Sequence, residues 1–181
     1  MNETEWNNWT DPGTMLEYIR GPESSMKRPV VATHRQLILW ACACCRRIAH
    51  LFDEARWLSA VLAAEGFADG ELTYKELSVI GASASKWSET YYKSGEESVT
   101  AFVAQSCMHL VEGVDSAFDG METAFLPPAG DATRFAVEAI RDHAGERAAV
   151  REKEAQCSIL RDVLGIRSVP SVAPPTGSHQ P

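Results

Sequence analysis

Nine consecutive residues from Leu37 to Cys45, LILWACACC, carry no charged or strongly polar side chain. A helix through such a run is apolar all the way round, and a helix of that kind has to be enclosed by other elements. The run is about half the ~20 residues that cross a bilayer, so the enclosure has to be protein. A chain of 181 residues can build one such core and is too short for two ordinary ones. The expectation is a single all-α domain over residues 1–165, a bundle of five to seven helices with one helix at its centre. No alternation of period two runs beyond about four residues, so no sheet is expected.

The flanking segments read as the enclosing helices. Asp11-Pro12 pairs an N-cap residue with proline at the first helical position, opening a helix through Met15, Leu16, Tyr18 and Ile19 that stops at Gly21-Pro22. A polar loop follows to Pro29. Thr33 can cap the central helix, which is expected to reach about Phe52. Beyond Asp53, Trp57, Leu58, Val61 and Leu62 form a stripe that ends at Asp69-Gly70. Thr73 and Glu76 have capping-box spacing ahead of Leu77, Ile80, Ala84 and Trp87. From Glu96 to Phe118 the residues Val99, Phe102, Val103, Ser106, Leu110, Val114 and Phe118 keep a helical period. Pro127-Pro128 and Gly130 read as a loop, and Asp131 as the cap of one long helix. That helix carries Val137, Ile140, Ala144, Ala148, Ile159, Leu160, Val163 and Leu164, is bent at Gly145 and closes at Gly165. Residues 166–181, polar and proline-rich, read as a disordered tail. Trp6 and Trp9, three apart, are expected to clamp the N-terminus to the bundle, and Trp40, Trp57 and Trp87 to lie in the core.

Charge narrows the partners. Acids outnumber bases 25 to 17, for a net charge of −8. A duplex or membrane-surface binder normally carries a basic stripe, so neither nucleic acid nor membrane is an expected partner. The N-terminus has no basic region leading into an apolar stretch, so no secretory signal is visible. Five cysteines, three of them within four residues, do not resemble a secreted disulfide framework. The cytoplasm is the expected compartment.

Three stretches, TEWNNWTDPGTMLEYIRG, RQLILWACACCRRIAHLF and DEARWLSAVLAAEGFADG, together with QCSILRDVLG, form a recognisable pattern. The chain resembles an uncharacterised helical family found as large paralogous sets in planctomycete-type bacteria. Typical members read TEAEWL, TDP, MLEFLRG and FACACCRRIWHLL in the corresponding places. The resemblance covers roughly residues 3–70 and 155–165. This chain departs from the pattern in the insertion PESSMKRPVVAT before the central helix and in its proline-rich end. The resemblance implies a helical fold and no reaction, cofactor or catalytic residue.

Three constellations carry chemistry. Cys42 and Cys45, one turn apart on a helix, could supply two of zinc's four tetrahedral positions, with His50, Cys107, Cys157 or His109 completing the set, or could form a redox couple. Against this stands the apolar run itself, because free cysteine behaves as a small buried hydrophobe. Packing is the favoured role, and no cofactor is the favoured expectation, with zinc as the alternative. Arg46 and Arg47 follow directly on the buried run, so one of them has to snorkel or meet a carboxylate, as an ion pair or as an anion site.

The third is a charge pattern. Forty residues between Lys93 and Arg134 contain seven acids and no Lys or Arg. Glu112, Asp115, Asp119 and Glu122 recur at i, i+3, i+7 and i+10, one face of a helix. Such a face is a docking strip for a basic protein partner, a weak cation site, a plainly solvated face, or one paired internally with Arg46, Arg47 or Arg56. Phosphate-binding glycine loops, H-E-x-x-H, paired E-x-x-H and G-x-S-x-G are all absent from the sequence. The favoured reading is therefore a non-enzymatic interaction or regulatory module using the acidic face; the alternative is a thiol-based zinc or redox protein centred on the CACC helix.

Overall fold

The computed structural model describes residues 3–20, 32–51, 55–93 and 126–165. The expected loop at 21–29, the amphipathic segment at 96–118, the acidic face at 112–122 and the tail at 166–181 lie outside them. Among the described residues there are seven α-helices and no strand. They are α1 (Glu3–Asn8), α2 (Pro12–Arg20), α3 (His34–Arg47), α4 (Ala55–Ala68), α5 (Tyr74–Lys93), α6 (Leu126–Ala144) and α7 (Glu146–Leu164), with a 3-10 turn at Ala49–Leu51 after α3. None is long and apolar enough to cross a membrane.

The apolar run becomes the centre of the bundle. Helix α3 packs against α4, α6 and α7, and Leu37, Ile38, Trp40, Ala41, Cys42, Cys44 and Cys45 are all buried. A capping box starts it: the Thr33 hydroxyl accepts from the Gln36 N–H at 3.2 Å, and the Gln36 side chain accepts from the Thr33 N–H at 2.9 Å. The Gln36 amide also donates to the Val163 carbonyl of α7 at 3.1 Å, which ties the start of α3 to the end of α7. Helix α3 ends at Arg47, short of the expected Phe52, and the chain tightens into the 3-10 turn.

The neighbours of α3 differ from expectation where small residues decide the packing. On α4 the buried stripe is Trp57, Ala60, Val61 and Ala64, whereas Leu58 and Leu62 are 40% and 51% exposed. Buried alanines let packed helices come close, while the larger leucines are left exposed. On α6 the same device recurs at Ala129, Ala132, Ala136 and Ala139, all fully buried at i, i+3, i+7 and i+10.

The start of α6 is also a correction. It begins at Leu126, so Pro127 and Pro128 stand in its first turn, where a missing N–H leaves no bond unmade. Asp131 is not its cap; its carboxylate accepts from Arg134 at 3.2 Å. The single long helix expected from Asp131 to Gly165 is two helices, and Ala144 is exposed at the end of the first. Gly145, at φ 83° and ψ 174°, occupies a region open essentially to glycine alone and separates α6 from α7.

Other expected signals appear as read. Asp11 accepts from the Thr14 N–H at 3.0 Å at the start of α2. Thr73 and Glu76 exchange both capping-box bonds, at 2.8 and 3.3 Å, ahead of α5, where Leu77 is buried. The side chains of Ala84 and Trp87 lie outside those described. Gly165 closes α7 in the left-handed conformation, φ 71°. Trp6 is buried and Trp9 half-buried; with Tyr18 they form a ring cluster whose centroids are 5.4–5.7 Å apart. From α7, the Arg161 guanidinium donates to the Trp6 carbonyl at 3.0 Å and to the Trp9 carbonyl. Helix α1 itself has no counterpart in the sequence reading.

Candidate functional site

The cysteine run lies within the central helix. Cys42, Cys44, Cys45 and, from α7, Cys157 are free and have no exposed surface. Cys42 Sγ donates to the Val61 carbonyl at 3.8 Å. Burial pushes the Cys45 thiol up to about 12 and Cys157 to about 11, and raises Cys42 and Cys44 well above the ordinary thiol value. Thiolate is the form that binds metal or attacks a disulfide, so this environment opposes both uses. Among the described residues no three His, Cys, Asp or Glu side chains come together in a group able to hold a metal. His50 therefore does not join Cys42 and Cys45 in a metal-holding group; it is exposed on the 3-10 turn. Cys107 and His109 lie outside the described residues.

Arg46 and Arg47 both find carboxylates, on different helices. Arg46 grips Glu65 of α4 through Nε at 2.7 Å and Nη2 at 2.5 Å, and the bonds from Glu65 hold its guanidinium above its usual pKa. Arg47 Nε lies 3.0 Å from both oxygens of Glu152 on α7. Neither arginine is buried, at 43% and 42% side-chain exposure; the group taken out of water is Glu152, at 5%. Each arginine thus meets a carboxylate of another helix, and its long stem lets its charge reach water while the shorter Glu152 remains inside.

Glu152 belongs to a buried polar line on α7. Gln156 donates to Glu152 at 3.4 Å and to the Thr133 carbonyl of α6 at 3.2 Å, while its own main-chain carbonyl accepts from the Trp40 indole at 3.0 Å. Burial raises the Glu152 carboxyl above its ordinary value, outweighing the attraction of Arg47. Ala149, Glu152, Gln156 and Leu160 share the inner face of α7, so the trace of this network in the sequence is two polar residues at apolar-period positions.

A second feature with no forewarning is a cleft of about 420 Å³ between the start of α2 and the facing sides of α6 and α7. Its charged lining is balanced and engaged. Lys153 meets Asp11 at 3.1 Å, Arg134 meets Asp131 at 3.2 Å, and Arg141 bonds Glu138 within the cleft and Glu146 at 2.7 Å. Burial tends to raise Asp11, but the Thr14 N–H and Lys153 together bring its carboxyl below the ordinary value.

Two histidines are brought together at one end of the bundle. The rings of His50 and His143, from the 3-10 turn and the last turn of α6, lie 6.3 Å apart between centroids at 76°. His50 Nδ1 is 3.0 Å from the Arg47 carbonyl. Glu112, Asp115, Asp119 and Glu122 lie outside the described residues.

No protein-family model matches this chain, and neither the curated proteins nor the solved structures compared with it show a match.

Proposed function

We propose that the chain is a cytoplasmic helical module of protein interaction or regulation, in the helical family its motifs resemble, and that it docks a basic partner surface on the face bearing Glu112, Asp115, Asp119 and Glu122. The observation that carries this reading is the engagement of two of the three bases, Arg46 and Arg47, that could have neutralised the strip from within. Arg46 is held by Glu65 and Arg47 by Glu152. At helical spacing, adjacent like charges disfavour the helix by roughly 0.2–0.5 kcal/mol per pair, and nothing local offsets this. A basic partner removes that repulsion on binding, and complementary charge speeds encounter and sets register.

The chemistry-bearing groups of the bundle support the same reading. The four described thiols are buried, and the charged groups of the α2–α6–α7 cleft are tied up in ion pairs. The test is charge reversal. The chain carrying Asp115→Lys and Asp119→Lys is compared with the wild type as bait, with helicity followed by circular dichroism. The reading expects unchanged helicity and loss of a partner that the wild type retains. The same partner recovered equally by both chains refutes it.

A further inference from the structure

We propose that His50 and His143 form a two-histidine site for a borderline divalent transition-metal ion such as zinc, with water completing the coordination. One main-chain contact sets the His50 tautomer. A carbonyl oxygen only accepts, so the Nδ1 atom lying 3.0 Å from the Arg47 carbonyl carries the hydrogen. In the neutral ring this leaves the lone pair on Nε2. A histidine that ligates a metal through one nitrogen almost always donates the other N–H to a carbonyl or carboxylate in this way. The bond fixes the ring without using the ligating atom.

The second histidine is within range. A ligating nitrogen sits about 2 Å from zinc and the ring centre roughly 1.2 Å behind it, so two rings at tetrahedral positions of one ion have centres about 5.2 Å apart. The observed 6.3 Å is about 1 Å wider than this, so the rings have to draw together to share an ion. Both side chains are exposed, so small rotations can aim the two nitrogens at one point without disturbing the core. His143 lies in the last turn of α6, where the unpaired carbonyls favour a cation. The positive charge of Arg47 is partly offset by its pairing with Glu152.

Among the described residues no third protein ligand joins the pair. The site is accordingly a surface clip between the turn after α3 and the end of α6, open to water on its remaining positions. This inference does not depend on the docking strip. It also differs from a thiol site, because both ligands are imidazoles on the surface.

Calorimetric titration of the full chain with zinc chloride, after chelator treatment and under a non-thiol reductant, tests it. One ion per chain is expected for the wild type and for His179→Ala, with about tenfold or greater weakening in His50→Gln and in His143→Gln. Absence of one-to-one binding overturns the proposal. So does binding that persists unchanged in both glutamine variants, since the ion then sits elsewhere. Should His50→Gln disturb the turn, His143→Gln alone decides, because that ring lies at an exposed helix end.

Discussion

Replacing Arg47 by alanine leaves a carboxylate that the fold has already removed from water. Glu152 keeps only 5% side-chain exposure, and its partner provides both close contacts to its oxygens at 3.0 Å. Breaking a buried pair from the side that leaves the buried charge behind costs about 3–5 kcal/mol. The Arg47 site opens onto solvent, so some water reaches Glu152 in the variant and the lower figure applies, about 3 kcal/mol. For a domain of this size that lowers the melting temperature by about 6–12 °C. Glu152→Gln is the contrasting change. It leaves Arg47 at a half-exposed site, keeps an acceptor for Arg47 and Gln156, and removes the desolvated charge, so its cost is expected within about 1 kcal/mol.

The pH dependence follows from the direction of the Glu152 shift. Its folded pKa lies above the ordinary carboxylate value, so the folded state holds this proton more tightly. Its contribution to stability is therefore fully present below the ordinary carboxylate range and is lost as pH rises through the folded pKa. Loss of Arg47 raises the folded pKa further, so the deficit of Arg47→Ala shrinks as pH falls from neutral towards the ordinary carboxylate range. Urea denaturation followed by circular dichroism at several pH values measures all of this. Equal losses in the two variants, or a deficit independent of pH, would refute the reasoning.

Other consequences are equally concrete. In a Cys107→Ser chain, the remaining thiols are expected to resist a disulfide reagent at pH 8 until denaturant is added; rapid labelling of the native protein would contradict their raised pKa values. Gly145→Ala forces a Cβ into a glycine-only conformation and should cost about 1–3 kcal/mol, read as a lower denaturation midpoint; no change would mean that the α6–α7 junction relaxes freely. Trp6→Ala removes the buried member of the ring cluster and should cost about 3–5 kcal/mol; a thermal melt within 2–3 °C of wild type, corresponding to about 1 kcal/mol, would show that α1 is not clamped.

What could be read from the residues was what local chemistry and period dictate. The apolar run had to be enclosed, and α3 is enclosed on three sides. Thr33, Thr73, Asp11-Pro12 and Gly165 mark helix ends because capping is settled within about four residues. Choices between faces were harder. Leu58 and Leu62 outrank Ala60 and Ala64 in hydrophobicity, yet the alanines are the buried ones, because close approach of helices favours small side chains. The break at Gly145 was legible only as a bend, since a glycine within a helical period reports freedom and not its φ. Partners distant in sequence left no local trace: Glu65 for Arg46, Glu152 for Arg47 and His143 for His50 are brought together only by the helix packing.

The docking claim is tested most directly by titrating the captured partner into the wild type and into the Asp115→Lys, Asp119→Lys chain at low and high salt. A charged strip makes wild-type affinity fall with rising salt, because exposed charges are screened beyond about 10 Å at 0.1 M. The account predicts that the reversed chain binds at least tenfold more weakly at low salt and has lost most of that salt dependence. Equal affinity and an equal salt slope for the two chains would contradict it.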